Sequence, residues 1–153
     1  MMYGKMFDTA KNRVQMRIQS GEFIRPMDTV CVISAKTGHL YSGVSHACMY
    51  RGNLTLIHAE TEAIQNMNAF GEKQVEAVLL MNAYNFRPLL PCSQCIANIL
   101  AMDNVNQECH IVLDNTVVPV TQLDKFIQDS INQSRLASEL MPVGAPGVLR
   151  CRR

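Results

Sequence analysis

The chain has 153 residues, 48% of them hydrophobic and 18% charged, with a formal net charge of +1. This is the length of one ordinary domain with enough apolar material for a packed core, which excludes a disordered chain. The near-zero charge argues against a broad duplex-binding surface, and no stretch approaches the roughly 20 apolar residues needed to cross a bilayer. Residues Met1 to Lys5 begin no apolar signal-peptide core, so the expected location is the cytoplasm. The six cysteines lie at 31, 48, 92, 95, 109 and 151, and only Cys92 and Cys95 are close together. In a cytosolic chain that spacing points to metal binding or redox chemistry rather than to a disulfide.

From Met6 to Ile18 the apolar residues Met6, Phe7, Ala10, Val14 and Ile18 recur at helical steps, and Ser20-Gly21 ends the run. Thr29 to Ser34 and Leu40 to Val44 read as two strands joined by a Gly-containing turn, a β-hairpin. A loop containing Arg51-Gly52-Asn53 follows. His58 to Ala69 places Ala59, Ala63, Ile64 and Met67 on one helical face, with Gly71 as its stop. The continuous apolar run Val75 to Met81 suits a buried central strand. After a loop from Asn82 to Leu90, Pro91 is expected to open a second helix that runs through Met102. His110 to Leu113 and Thr116 to Val120 read as strands about an Asp114-Asn115 turn, with Pro119 confining the second to an edge. Gln122 to Ile131 reads as the last helix. The expected organisation is one catalytic domain over 1–133. A tail over 134–153 follows, crowded with Pro and Gly, expected to be loosely ordered or packed on a partner subunit. This order implies a central mixed sheet covered by helices.

Two short motifs carry chemistry: His58-Ala59-Glu60 and, further along, Pro91-Cys92-Ser93-Gln94-Cys95. A catalytic zinc keeps three protein ligands and leaves its fourth position to water. One neutral imidazole and two thiolates balance the ion's double charge while leaving it Lewis-acidic, so His58, Cys92 and Cys95 are the expected Zn2+ ligands. Cys92 and Cys95, three apart, share one face of a helix's first turn, where the backbone N–H groups favour thiolate. Glu60 stands two residues beyond His58, close enough to face a water without being a ligand, and suits a proton shuttle. Either motif alone is a weak signal; together, each at a helix start that follows a sheet element, they form the zinc deaminase signature.

These residues, with the helix and hairpin before them, resemble the cytidine deaminase superfamily over about Met6 to Ile127. The resemblance implies a three-layer α/β/α fold with a central mixed five-stranded sheet. It also implies hydrolytic deamination of a cytidine-like small molecule, and a homodimer or homotetramer whose active sites borrow residues from neighbours. The short turn at Asp114-Asn115 implies antiparallel last strands, as in the free-nucleoside branch that includes the blasticidin deaminases. By the same resemblance, the backbone N–H of Ala59 would meet the substrate's ring carbonyl, and the carbonyl of Leu90 would meet the departing amino group. Cytidine deaminases usually carry an Asn-x-Glu pair that grips the ribose; here the matching stretch reads Ser45-His46-Ala47-Cys48-Met49. Plain cytidine is therefore expected to be a poor substrate.

Ser45 and His46 fall where a substrate-facing loop is expected, and Phe86, before the zinc helix, is placed to stack on a planar ring. Three alternatives share part of the pattern. A closed structural site would take His46, Cys48 or His110 as a fourth ligand. A deaminase of single-stranded nucleic acid would need a groove for which 6% aromatic residues and low charge offer little. A non-catalytic zinc scaffold would leave Glu60 without a task.

Overall fold

The structure is a computed structural model and describes residues 2–140, with side chains over 3–136. Helix α1 spans Met2–Gln19, and strands β1 (Thr29–Ala35) and β2 (Leu40–Val44) form the expected hairpin. Strands β3 (His46–Tyr50) and β4 (Asn53–Ile57) lead into helix α2 (Ala59–Ala69). Strand β5 (Val75–Asn82) and the two-residue β6 (Pro88–Leu89) precede helix α3 (Ser93–Met102). Strands β7 (His110–Val112) and β8 (Val117–Pro119) follow, and helix α4 (Leu123–Leu140) comes last. No helix among the described residues is long and apolar enough to cross a membrane.

The main sheet runs β2-β1-β5-β7-β8, with β6 paired to β5 beside this path. The five strands expected are present in a mixed arrangement: β5 and β7 are parallel, and the other neighbours are antiparallel. The last two strands are antiparallel, with His110 opposite Pro119. Pro119 lies on the edge strand, where its missing N–H interrupts no ladder.

Alternation along the strands produces the layers. Val30 and Val32 on β1, with Ala77, Leu79 and Met81 on β5, pack under Met6, Ala10 and Val14 of α1. Cys31 and Ile33 on β1, with Val78 and Leu80 on β5, face Ala63 and Met67 of α2 and Ile99 of α3. Leu123 brings the start of α4 onto this second side. The molecule is thus a three-layer α/β/α sandwich. Asn106, fully buried, ties the second layer to the sheet: its Oδ1 accepts from Val75 N at 2.7 Å, and its Nδ2 donates to Ile99 O at 2.8 Å.

Three expectations from sequence are corrected. The stretch taken as a loop around Arg51 is a separate two-stranded hairpin, β3 paired with β4, in which Tyr50 opposes Asn53. Its two-residue turn puts both Arg51 (φ 51°) and Gly52 (φ 79°) in the left-handed region, as a type I′ turn requires. Pro91 does not open α3. Cys92 is the N-cap, with φ −60° and ψ 139°, and Pro91 precedes it. Helix α4 continues to Leu140, past the expected end at Ile131, so the first residues of the expected tail are helical; 141–153 lie outside the described residues.

Helix α2 lies against β2 at a distance only glycine permits. A Cβ on Gly43 would stand 2.5 Å from both Ala59 O and Ala63 N, which are backbone atoms that cannot rotate away. Gly43→Ala is expected to push α2 off the sheet and destabilise the protein by about 1–3 kcal/mol, the usual cost of overpacking. Urea unfolding of the variant beside the wild type measures this.

Candidate active site

The site is assembled at the starts of two helices. Strand β4 ends at Ile57, and His58 follows as the N-cap of α2, with its carbonyl accepting from Glu62 N at 3.2 Å. Cys92 holds the same position on α3, and its carbonyl accepts from Ile96 N at 3.0 Å. Both helices start at one end of the sheet, and the structure brings His58, Cys92 and Cys95 together. One ligand atom from each lies within 4.8 Å of the others. Cys95 Sγ is 3.6 Å from His58 Nδ1. A tetrahedral zinc, with Zn–N near 2.0 Å and Zn–S near 2.3 Å, separates nitrogen and sulfur by about 3.5 Å. The observed spacing fits that edge.

Burial pushes the Cys95 thiol up to about 12, and the charges of Glu60 and Cys92 push further in that direction. The helix start, expected to favour thiolate, is outweighed by loss of solvent. A divalent cation held among the three groups would favour the thiolate.

Glu60 is fully buried, and its Oε2 accepts from Cys92 N at 3.1 Å. One carboxylate thereby links the start of α2 to the start of α3. The proposed fourth ligands of a closed site lie elsewhere. His46 Nδ1 is 3.0 Å from Glu62 Oε2, His110 Nδ1 is 4.0 Å from Glu76 Oε2, and Cys48 sits on β3. Among the described residues the ligand group consists of His58, Cys92 and Cys95.

A cleft of about 780 Å³ opens against His58. Ser45 and His46 reach it from the end of β2 and the start of β3. The Ser45 hydroxyl oxygen accepts from Thr29 N at 2.9 Å, so it also fastens β2 to β1. Ala59 is buried in the core behind His58, and Leu90 is partly buried beside Pro91. Phe86 is not brought to this cleft. It packs with the α1 layer, across the sheet from α2 and α3, in a left-handed conformation with φ 60°. Asn82 shapes that turn: its Oδ1 accepts from Tyr84 N at 2.8 Å and Asn85 N at 3.0 Å.

Sequence reasoning passed over Glu62. Its Oε1 accepts from Arg13 Nη2 of α1 at 3.0 Å and from Val44 N of β2 at 3.3 Å, while Oε2 meets His46. It positions the first turn of α2 against both neighbouring elements. The only trace in the sequence was an acidic residue in a helix's first turn, which the helix dipole explains equally well.

The chain is similar in structure to solved bacterial cytidine deaminases. The enzyme from Bacillus anthracis aligns with a TM-score of 0.59 and 18% identity, covering 91% of this chain and 98% of that one. The chain has the cytidine deaminase fold. Cytidine deaminases from Mycobacterium leprae (22% identity, 76% of this chain and 94% of that one) and Mycobacterium tuberculosis (14%, 76% and 91%) both align with a TM-score of 0.57. No protein-family profile matches the chain, and no curated protein matches it in sequence.

The ligand geometry has a direct test. His58→Ala and Cys92→Ala are each expected to weaken zinc binding more than about 100-fold, beyond the loss seen when only a supporting group is removed. Competition titration against a chromophoric chelator reads the affinity, and circular dichroism shows whether the fold is retained.

Proposed function

We propose that the protein is a zinc-dependent hydrolytic deaminase of a small aminopyrimidine or related amino-substituted ring. The observation that carries this reading is the fully buried Glu60, held by the Cys92 N–H within one helical turn of His58. Burying a carboxylate costs free energy, and a proton-transfer role gives Glu60 a use beyond linking α2 to α3.

Zinc held by His58, Cys92 and Cys95 would supply a Lewis-acidic centre at which water becomes nucleophilic near neutral pH. Glu60 takes the proton that the attacking water gives up and passes it to the ring nitrogen beside the carbon under attack. It then moves the remaining water proton to the amino group as the C–N bond breaks. One water is consumed, a ring carbonyl replaces the amine, and ammonia leaves. The Cys92 N–H fixes the Glu60 carboxylate throughout, so little side-chain reorientation is needed between these transfers. The backbone N–H of Ala59 and the carbonyl of Leu90 are assigned to the substrate's ring carbonyl and its amino group. Both flank metal ligands, Ala59 next to His58 and Leu90 just before Pro91-Cys92.

Glu60→Gln keeps the hydrogen-bond acceptor but cannot carry protons. It is expected to lower ammonia release by about 10²–10⁴-fold, the usual contribution of a general acid–base group. Zinc content should stay at the wild-type level, as read by elemental analysis of the same sample. Unchanged turnover would refute the assignment.

A further inference from the structure

The cleft beside His58 has an unusual lining for a site that would grip a sugar. In the β3–β4 hairpin Ala47 opposes Leu56 and Met49 opposes Leu54, so these four side chains share one face. Ala47, Leu54 and Leu56 line the cleft, together with Pro26 and Met27 from the segment before β1. Leu54 is 74% exposed, Met27 72% and Leu56 55%. They offer contiguous apolar surface to anything that enters.

Several polar groups of the cleft are engaged within the protein itself. The Ser45 hydroxyl oxygen holds Thr29 N, the Asp28 carboxylate accepts from Arg25 N at 2.8 Å, and His46 Nδ1 lies 3.0 Å from both Val44 O and Glu62 Oε2. Arg25 and Asp28 carry opposite formal charges, so the lining has no net charge to select an ion. Hydroxyl groups placed against Leu54 and Leu56 lose their water without gaining partners there, whereas an apolar group gains from the same burial. The volume, about 780 Å³, suits a small molecule rather than a macromolecule. His58 is part of the wall, so the cleft borders the candidate ligand group.

Resting on the deaminase reading, we propose that this cleft is a specificity subsite for a neutral, apolar substituent on the aminated ring. Leu54 and Leu56 are its selective surface. The preferred substrate class is an amino-substituted pyrimidine bearing a hydrocarbon or aromatic group where a nucleoside carries ribose.

Three compounds with the same reacting ring test this: cytosine, cytidine and 1-benzylcytosine. Ammonia release is measured with the zinc-loaded protein, and dissociation constants by calorimetry on the zinc-loaded Glu60→Gln variant. 1-Benzylcytosine is expected to bind at least about tenfold more tightly than cytidine, the discrimination that one or two buried carbons provide. Changing Leu54→Ser and Leu56→Ser together should lower the benzyl-to-cytosine affinity ratio about tenfold. Both sites are exposed and outside the core, so the fold should survive the change. Cytidine binding as tightly as the benzyl compound, binding of none of the three, or an unchanged ratio in the double variant would overturn the proposal. If light scattering showed that the variant altered the assembly mass while the ratio held, the leucines would belong to a subunit interface and the subsite would fall. Selective binding with no ammonia from any compound would instead sink the deaminase reading and leave the subsite standing.

Discussion

Cys92 N–H donates to the buried carboxylate of Glu60, and the remainder of the site is arranged around that bond. The beginning of a helix leaves backbone N–H groups without partners, and a buried carboxylate needs donors. Setting the first turn of α2 against the first turn of α3 meets both needs at once. The same contact brings the His58 ring to 3.6 Å from Cys95 Sγ. It also gathers several acidic groups where solvent is scarce, which is why Cys95 resists ionisation. Such a cluster is unfavourable by itself, and a divalent cation bound there would couple its own binding to the local fold.

The contact depends on how closely α2 approaches the sheet. Gly43 removes a side chain at the point where β2 meets the backbone of α2, and Glu62 anchors the same turn to Arg13 of α1 and to Val44 of β2. Neither residue touches the ligand atoms. Each limits the sliding of α2, and a metal site tolerates displacement of only a fraction of an ångström before its geometry fails.

How much of this was legible in the sequence follows from the range of each interaction. The buried strands β1 and β5 announce themselves through the apolar runs Val30 to Ile33 and Ala77 to Met81, because both faces of each run are covered. The grouping of His58, Cys92 and Cys95 was readable because a metal site calls for particular residue types at fixed local spacing. The β3–β4 hairpin was not. Its turn uses Arg51 where an Asn or Asp is usual, and its strands are largely exposed, so neither composition nor burial marks them. Phe86 misled for a related reason. Its place in the chain, between the central strand and α3, is next to the site, but the Asn82-centred turn directs it to the other side of the sheet. Gly43 and Glu62 act through contacts distant in sequence, and one sequence carries no record of those partners.

The division of labour that results is physical as well as topological. His58, Cys92, Cys95 and Glu60 sit at helix starts packed on the sheet, where the fully buried β1 lends rigidity. The hairpin that borders the cleft belongs to no larger sheet, and isolated two-stranded hairpins are only marginally stable in water. It is secured at its base, where His46 meets Glu62 and Ile57 runs into the His58 cap, while its outer residues are free to vary without disturbing the core. Changes in Leu54 or Leu56 would therefore alter what the cleft accepts and leave the ligand set intact. The fold itself persists at this distance: the chain is only 14–22% identical to the solved cytidine deaminases whose architecture it shares.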